Sequence, residues 1–129
     1  MTLLNLEIES FYPENREQWR KWLLENHTSK ASVWLVFYKI KSDMPTISWS
    51  EAVDEALCFG WVDSRKKPVD DQKYIQFFCK RKAVSTWSKI NKEKVARLLT
   101  DGLIEPAGLA SIELQNKMVP GIFWMTWKN

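Results

Sequence analysis

The chain has little cysteine, little histidine and little glycine. Two Cys, at 58 and 79, cannot build a disulfide framework. One His, His27, with two thiols and scattered acids gives no ligand spacing for zinc, and no acidic loop has the form of a calcium site, so no metal is expected. Four Gly, at 60, 102, 108 and 121, are not spaced as a phosphate-cradling loop, so no nucleotide cofactor is expected either. No apolar run approaches the roughly 20 residues needed to span a bilayer. The opening "MTLLNLEIESFYPENREQW" carries Glu7 and Glu9 and no basic leader, unlike a secretory signal. These absences lead to the expectation of a reducing, cytoplasmic setting.

What is present is a chain of 129 residues, the size of one ordinary domain, with 45% hydrophobic and 27% charged residues. Eight Trp is high for this length. An indole brings a large apolar area and one N–H, which suits cores with a polar handle, or contact surfaces. The net charge of +3 conceals an asymmetry: residues 64–97 hold eleven Lys and Arg against Asp70, Asp71 and Glu93, which is +8, and the remainder is −5. A one-sided basic stretch invites an anionic partner or is a solvated face.

Periodicity gives the elements. In "YPENREQWRKWLLENH", Asn15 can cap a helix with Gln18 at the reciprocal position, and Trp19, Trp22, Leu23 and Asn26 share a face. "SVWLVFYK" is β-branched and aromatic without alternation, which fits a strand covered on both faces. "SWSEAVDEALCFG" is a second helix, capped by Ser48 and Glu51, striped by Trp49, Ala52, Val53, Ala56 and Leu57, and stopped at Gly60. "WVDS" begins a strand that opens onto a basic loop, "RKKPVDDQ", and "KYIQFFCKR" is its partner, with Tyr74, Gln76 and Phe78 on one face. A helix from about Ser88 to Gly102 and another from Pro106 complete the chain. The expected fold is α+β: a small, mainly antiparallel sheet of about three strands, 33–39, 61–64 and 74–81, packed with four helices. The second helix should lie on it through Trp49, Val53 and Leu57.

Among chemical groups, Cys58 is the obvious nucleophile and the spacing argues against it. Glu51, Asp54, Glu55 and Cys58 share a helix face, and Cys58 sits at the negative end of the dipole. Both raise a thiol pKa, whereas nucleophilic catalysis needs it lowered. Ser85, His27 and Asp63 could be assembled into a triad, but nothing in the sequence joins them. His27 suits a donor to a free carbonyl at a helix end. A second group is more coherent. Lys80, Arg81 and Lys82 leave a strand, and Ser85, Trp87, Ser88 and Asn91 enter a helix whose stripe turns Asn91 inward. If the strands pair, Trp61, Asp63, Arg81, Ser85, Trp87 and Asn91 converge on one aromatic-lined polar cleft. The same Asp63, Arg81 and Asn91 could instead serve structure alone.

"EALCFGWVDS", "FFCKRKAVSTWSKIN", "LLTDGLIEPAGLASIE" and "WRKWLLENHTSKASVWLVFYK" resemble the bacterial YdeI/OmpD-associated family, also called bacteriocin-protection proteins. The likeness runs from about Phe11 to Glu113, in order and at comparable spacing. Lys80 and Ala83 stand where that family usually carries prolines, and its further C-terminal helical region is missing. The resemblance implies a stress-protection role against cationic antimicrobial peptides and bacteriocins and a possible association with a porin. It brings no catalytic residue.

The expectation is therefore a single domain over 1–129 that is a non-enzymatic binding or stress-protection module using the cleft, for an unknown small molecule or protein partner. A small-metabolite enzyme on the same cleft is the alternative. Nucleic-acid binding through 64–97 comes last, because aromatics interleave with the basic residues but no recognised motif is present. The apolar tail "GIFWMTWKN" should fold back on Trp19 and Trp22 of a monomer or pack in a homodimer.

Overall fold

The computed structural model describes residues 9–81 and 88–118. Its elements run β1 (Ser10–Phe11), α1 (Arg16–Asn26), β2 (Ser32–Tyr38), a short 3₁₀ turn (Ile40–Ser42), α2 (Trp49–Cys58), β3 (Trp61–Pro68), β4 (Lys73–Lys80), α3 (Lys89–Thr100) and α4 (Pro106–Met118). The fold is α+β, with four helices among the described residues. The sheet order is β1-β2-β4-β3. The three expected strands share this sheet and pair antiparallel. The sheet is nevertheless mixed and four-stranded, because the two-residue β1 joins β2 in parallel.

Local chemistry sets the helix ends. The Asn15 side chain accepts the Gln18 N–H at 2.9 Å. At α2 both halves of the capping box are made: the Glu51 N–H donates to Ser48 Oγ and the Ser48 N–H to Glu51 Oε1, each at 3.1 Å. Gly60 ends this segment at φ 76°, and a Cβ there would lie 2.9 Å from the Ala107 carbonyl oxygen. Ser88 caps α3 through the Asn91 N–H.

β3 does not stop at Ser64. It continues to Pro68, pairing Lys66 with Gln76, Lys67 with Ile75 and Pro68 with Tyr74 after a register shift between Asp63 and Lys66. The run of charge that reads as a loop is thus an edge strand, where cations can face water and a proline lacking an N–H is tolerated.

The core lies on one side of the sheet. Val33, Leu35 and Phe37 of β2 are at most 1% exposed, with Phe78 of β4 and Trp61 of β3 beside them. Trp19 of α1 meets Phe78 edge-on at 5.4 Å, and Trp22 meets Trp61 at 5.7 Å. The alternate residues Trp34, Val36 and Tyr38 are only half-buried. β2 is therefore not equally covered on its two faces, and its continuous apolar run hides an alternation in burial. α2 packs through Ala52, Val53, Ala56 and Leu57, all at most 1% exposed. Trp49 does not pack this way and is 40% exposed. It is the first helical residue, beyond the buried stripe, and its indole turns toward the sheet through a polar contact. α4 crosses the end of α2 so closely that a Cβ on Gly108 would stand 2.4 Å from the Cys58 carbonyl oxygen.

Candidate functional site

Asp63 sits in β3 opposite Phe78, just before the register shift, and is half-buried. Its Oδ2 accepts the Trp49 indole N–H at 3.1 Å and the Gln76 amide N–H at 2.9 Å. Gln76 is 6% exposed on the core side of β4. Three elements thus meet at one carboxylate oxygen, and Oδ1 takes no hydrogen bond from a described residue. Alternation along β4 points Gln76 inward, but nothing local links it to Trp49, which is why neither stood out beside Asp63 in the sequence.

Arg81 follows β4, and its backbone N–H donates to the Gly60 carbonyl at 2.9 Å. Burial pushes its guanidinium down to about 10, and the Asp63 charge opposes that fall. Asp63 and Arg81 are therefore linked electrostatically, while the carboxylate's hydrogen bonds go to Trp49 and Gln76. Trp61 is 1% exposed, packed on Trp22, and its indole N–H has no hydrogen-bond partner among the described residues. Asn91 is buried in the first turn of α3, near Val95 and Leu98 on the inward stripe. Ser85 and Trp87, and the tail from residue 119, lie outside the described residues. Of the six residues expected to converge, the described ones are Trp61 and Asp63 on one strand, Arg81 at the adjoining strand end, and Asn91 on a helix. Among these, the Asp63 charge acts on the Arg81 guanidinium.

A second polar cluster, absent from the sequence reading, lies on the outer face of α2. Asp54 and Glu55 are each 5% exposed. Glu55 receives Arg16 at 2.7 Å and Arg20 at 2.8 Å. Arg20 also reaches Glu105 at 2.7 Å and donates to the Leu103 carbonyl. Asp54 receives Lys94 at 3.0 Å and Arg97 at 2.9 Å. Lys94 is further held by Ser50 Oγ at 2.7 Å. Burial works against the charge on Arg16 and Arg20, yet the Glu55 carboxylate prevails and raises both guanidinium pKa values. Every cation here has a carboxylate; Glu55 has two cations, and Asp54 has Lys94 and Arg97 with Arg16 at 3.8 Å as a third. The arrangement fastens α1, α3 and the start of α4 to α2.

Cys58 belongs to this end of α2 and is fully buried. Burial pushes its thiol up to about 11; Glu55 and Asp54 push the same way, and Arg20 opposes them. The direction agrees with the acidic helix face, but desolvation is the larger cause. His27 Nδ1 lies 2.8 Å from the Leu23 carbonyl oxygen, at the helix end where such a partner is expected, and the ring leans on Phe59. Among the described residues no group of three or more His, Cys, Asp or Glu could hold a metal ion. No helix among them is long and apolar enough to cross a membrane.

A family model described as a domain of unknown function, DUF8412, matches residues 11–111. The chain belongs to the DUF8412 family. The match spans every element from the end of β1 into α4, so both the Asp63 cluster and the Asp54–Glu55 cluster fall inside the family domain. No curated protein and no solved structure matches the chain.

Proposed function

We propose that this DUF8412 domain is a non-enzymatic binding module whose ligand is held at Asp63, in a cleft formed by Trp61, Asp63, Arg81, Ser85, Trp87 and Asn91 and extended by Trp49 and Gln76. The observation that carries the reading is the Asp63 carboxylate: two N–H donors converge on Oδ2, which fixes the group, and Oδ1 takes no hydrogen bond from a described residue. The half-exposed indole of Trp49 lies alongside. A fixed carboxylate next to an accessible indole suits a ligand with an N–H or ammonium donor on an apolar body. The side chains of cationic peptides have that chemistry. The resemblance of "EALCFGWVDS" and "STWSKIN" to the YdeI/OmpD-associated family supports a protective role against such peptides. Cys58 favours binding over thiol catalysis, because its pKa lies well above neutrality.

The test is calorimetric titration of the full chain with a Lys- and Trp-rich cationic peptide and a panel of small amines, alongside Asp63→Asn and Trp49→Phe. Binding that Asp63→Asn weakens at least tenfold, with an unchanged melting profile, supports the reading. Equal affinity in wild type and Asp63→Asn sinks it, as does chemical turnover of any panel member.

A further inference from the structure

We infer that the face of the sheet away from the helices is a platform for single-stranded nucleic acid. Trp34 pairs with Phe77, Val36 with Ile75 and Tyr38 with Lys73, so these side chains share the face opposite the buried Val33, Leu35 and Phe37. Lys67 pairs with Ile75 and joins the same face. Trp34, Phe77 and Tyr38 are all half-buried, in contrast to the sealed core side. Trp34 and Phe77 lie 5.0 Å apart, centroid to centroid.

Charge complementarity identifies the occupant. Arg65 lies over both rings, 5.8 Å from Trp34 and 5.4 Å from Phe77, and the Lys73 ammonium is 5.6 Å from Tyr38. Among the described residues Arg65, Lys67 and Lys73 form no ion pair, unlike Arg16, Arg20, Lys94 and Arg97. Asp63 is turned to the opposite face, and Asp70 and Asp71 are in the turn between β3 and β4, where the Asp70 carboxylate is engaged by the N–H groups of Gln72 and Lys73, with the Lys73 charge acting on it as well. Cations at the edge of an aromatic sheet face meet the two needs of a single strand: phosphates take the ammonium groups, and unstacked bases take ring faces or a guanidinium plane. A duplex keeps its bases stacked and would use only the cations. Edge lysines also discourage strand pairing between molecules. That role explains the charges but not three aromatic rings beneath them.

The experiment measures fluorescence anisotropy of labelled 12-nucleotide dT and U oligomers with the full chain at 50 and 200 mM salt. Three phosphate contacts on a single strand predict an affinity loss of about 20-fold between those concentrations. Lys67→Glu with Lys73→Glu should abolish binding, and Trp34→Ala should weaken it about tenfold. Lys21→Glu, an exposed cation of α1, should leave it unchanged; circular dichroism melts confirm the fold of each variant. The inference is overturned by no binding at 50 mM salt, by equal binding to a duplex of the same length, or by equal loss in Lys21→Glu. It is also overturned if only anionic phosphatidylglycerol vesicles bind, or if light scattering shows a dimer that Trp34→Ala separates, since a second copy would then be the occupant. None of these outcomes depends on Asp63, so failure here and failure of the Asp63 site are read separately.

Discussion

The two sides of the sheet treat positive charge in opposite ways. On the helical side Arg16, Arg20, Lys94 and Arg97 close on two buried carboxylates. On the other side Arg65 and Lys73 lie over aromatic rings. A buried acid with two cations is a structural fastening, because losing one partner strands a charge in a poorly solvated place. A cation over a ring at an exposed edge costs little to move and retains its charge for a partner. The charge split along the chain does not follow this division: Lys94 and Arg97 belong to the +8 stretch 64–97 yet close on Asp54 from the −5 remainder.

The fastened side is most vulnerable at Glu55. Glu55→Ala should cost roughly 2–3 kcal/mol in urea unfolding, below the figure for a fully buried pair because Arg16 and Arg20 keep about a third of their side-chain surface in water. A loss as small as that of a surface substitution would mean that the helical side is not fastened by charge. Gly108→Ala tests whether the same side is also held by close approach. With a Cβ forced against the Cys58 carbonyl, roughly 1–3 kcal/mol of overpacking cost is expected, seen as a lower melting temperature. Unchanged melting would show that α4 can stand off from α2.

Cys58 sharpens the contrast through pH. Its thiol ionises near 9 in an unfolded chain and near 11 in the fold. Below about 9 both states are neutral and the stabilising difference is fully present. Between about 9 and 11 only the unfolded chain ionises, so stability falls as pH rises through that window. Cys58→Ala should flatten this part of the unfolding profile. In a Cys79→Ser background, iodoacetamide should label Cys58 slowly at neutral pH and faster toward pH 11; fast labelling at pH 7 would contradict the burial of the thiol. The smallest effect belongs to the open side. Lys67→Ala and Lys73→Ala should each change stability by no more than about 0.5 kcal/mol, because neither side chain is in an ion pair among the described residues. A larger loss would make them structural and equalise the two sides.

Local rules made the helices legible. Asn15 and Ser48 read as caps and function as caps, and Gly60 reads as a stop and takes positive φ. The inward Asn91 was also visible in its period; for Gln76 the alternation along β4 separated two faces without showing which one is core. Asp54 and Glu55 were not. They read as an acidic helix face beside Cys58, and the cations that bury them come from 35 to 43 residues away. The strand character of Arg65–Pro68 was hidden for a related reason: β3 is an edge, where composition follows water rather than the pleat. Trp49 was misplaced because a helical stripe says which face a residue is on, not whether the neighbouring element reaches that far. Asp63 was legible as a switch from apolar to polar, but its hydrogen-bond partners were not, being 13 and 14 residues away on different elements.

The carboxylate pair on α2 also bears on how the chain assembles in time. α2 carries its own caps and stop, so its ends need nothing distant. Its links to α1 and α3 close loops of 35 to 43 residues, and Arg20 reaches Glu105 across 85. Loop closure precedes the reward of such contacts. Charge contacts that close after the apolar core has gathered would show their strength mainly in how slowly the native state opens. Salt should then speed unfolding while hardly altering refolding, which makes α2 less a seed for the fold than a latch on the finished one.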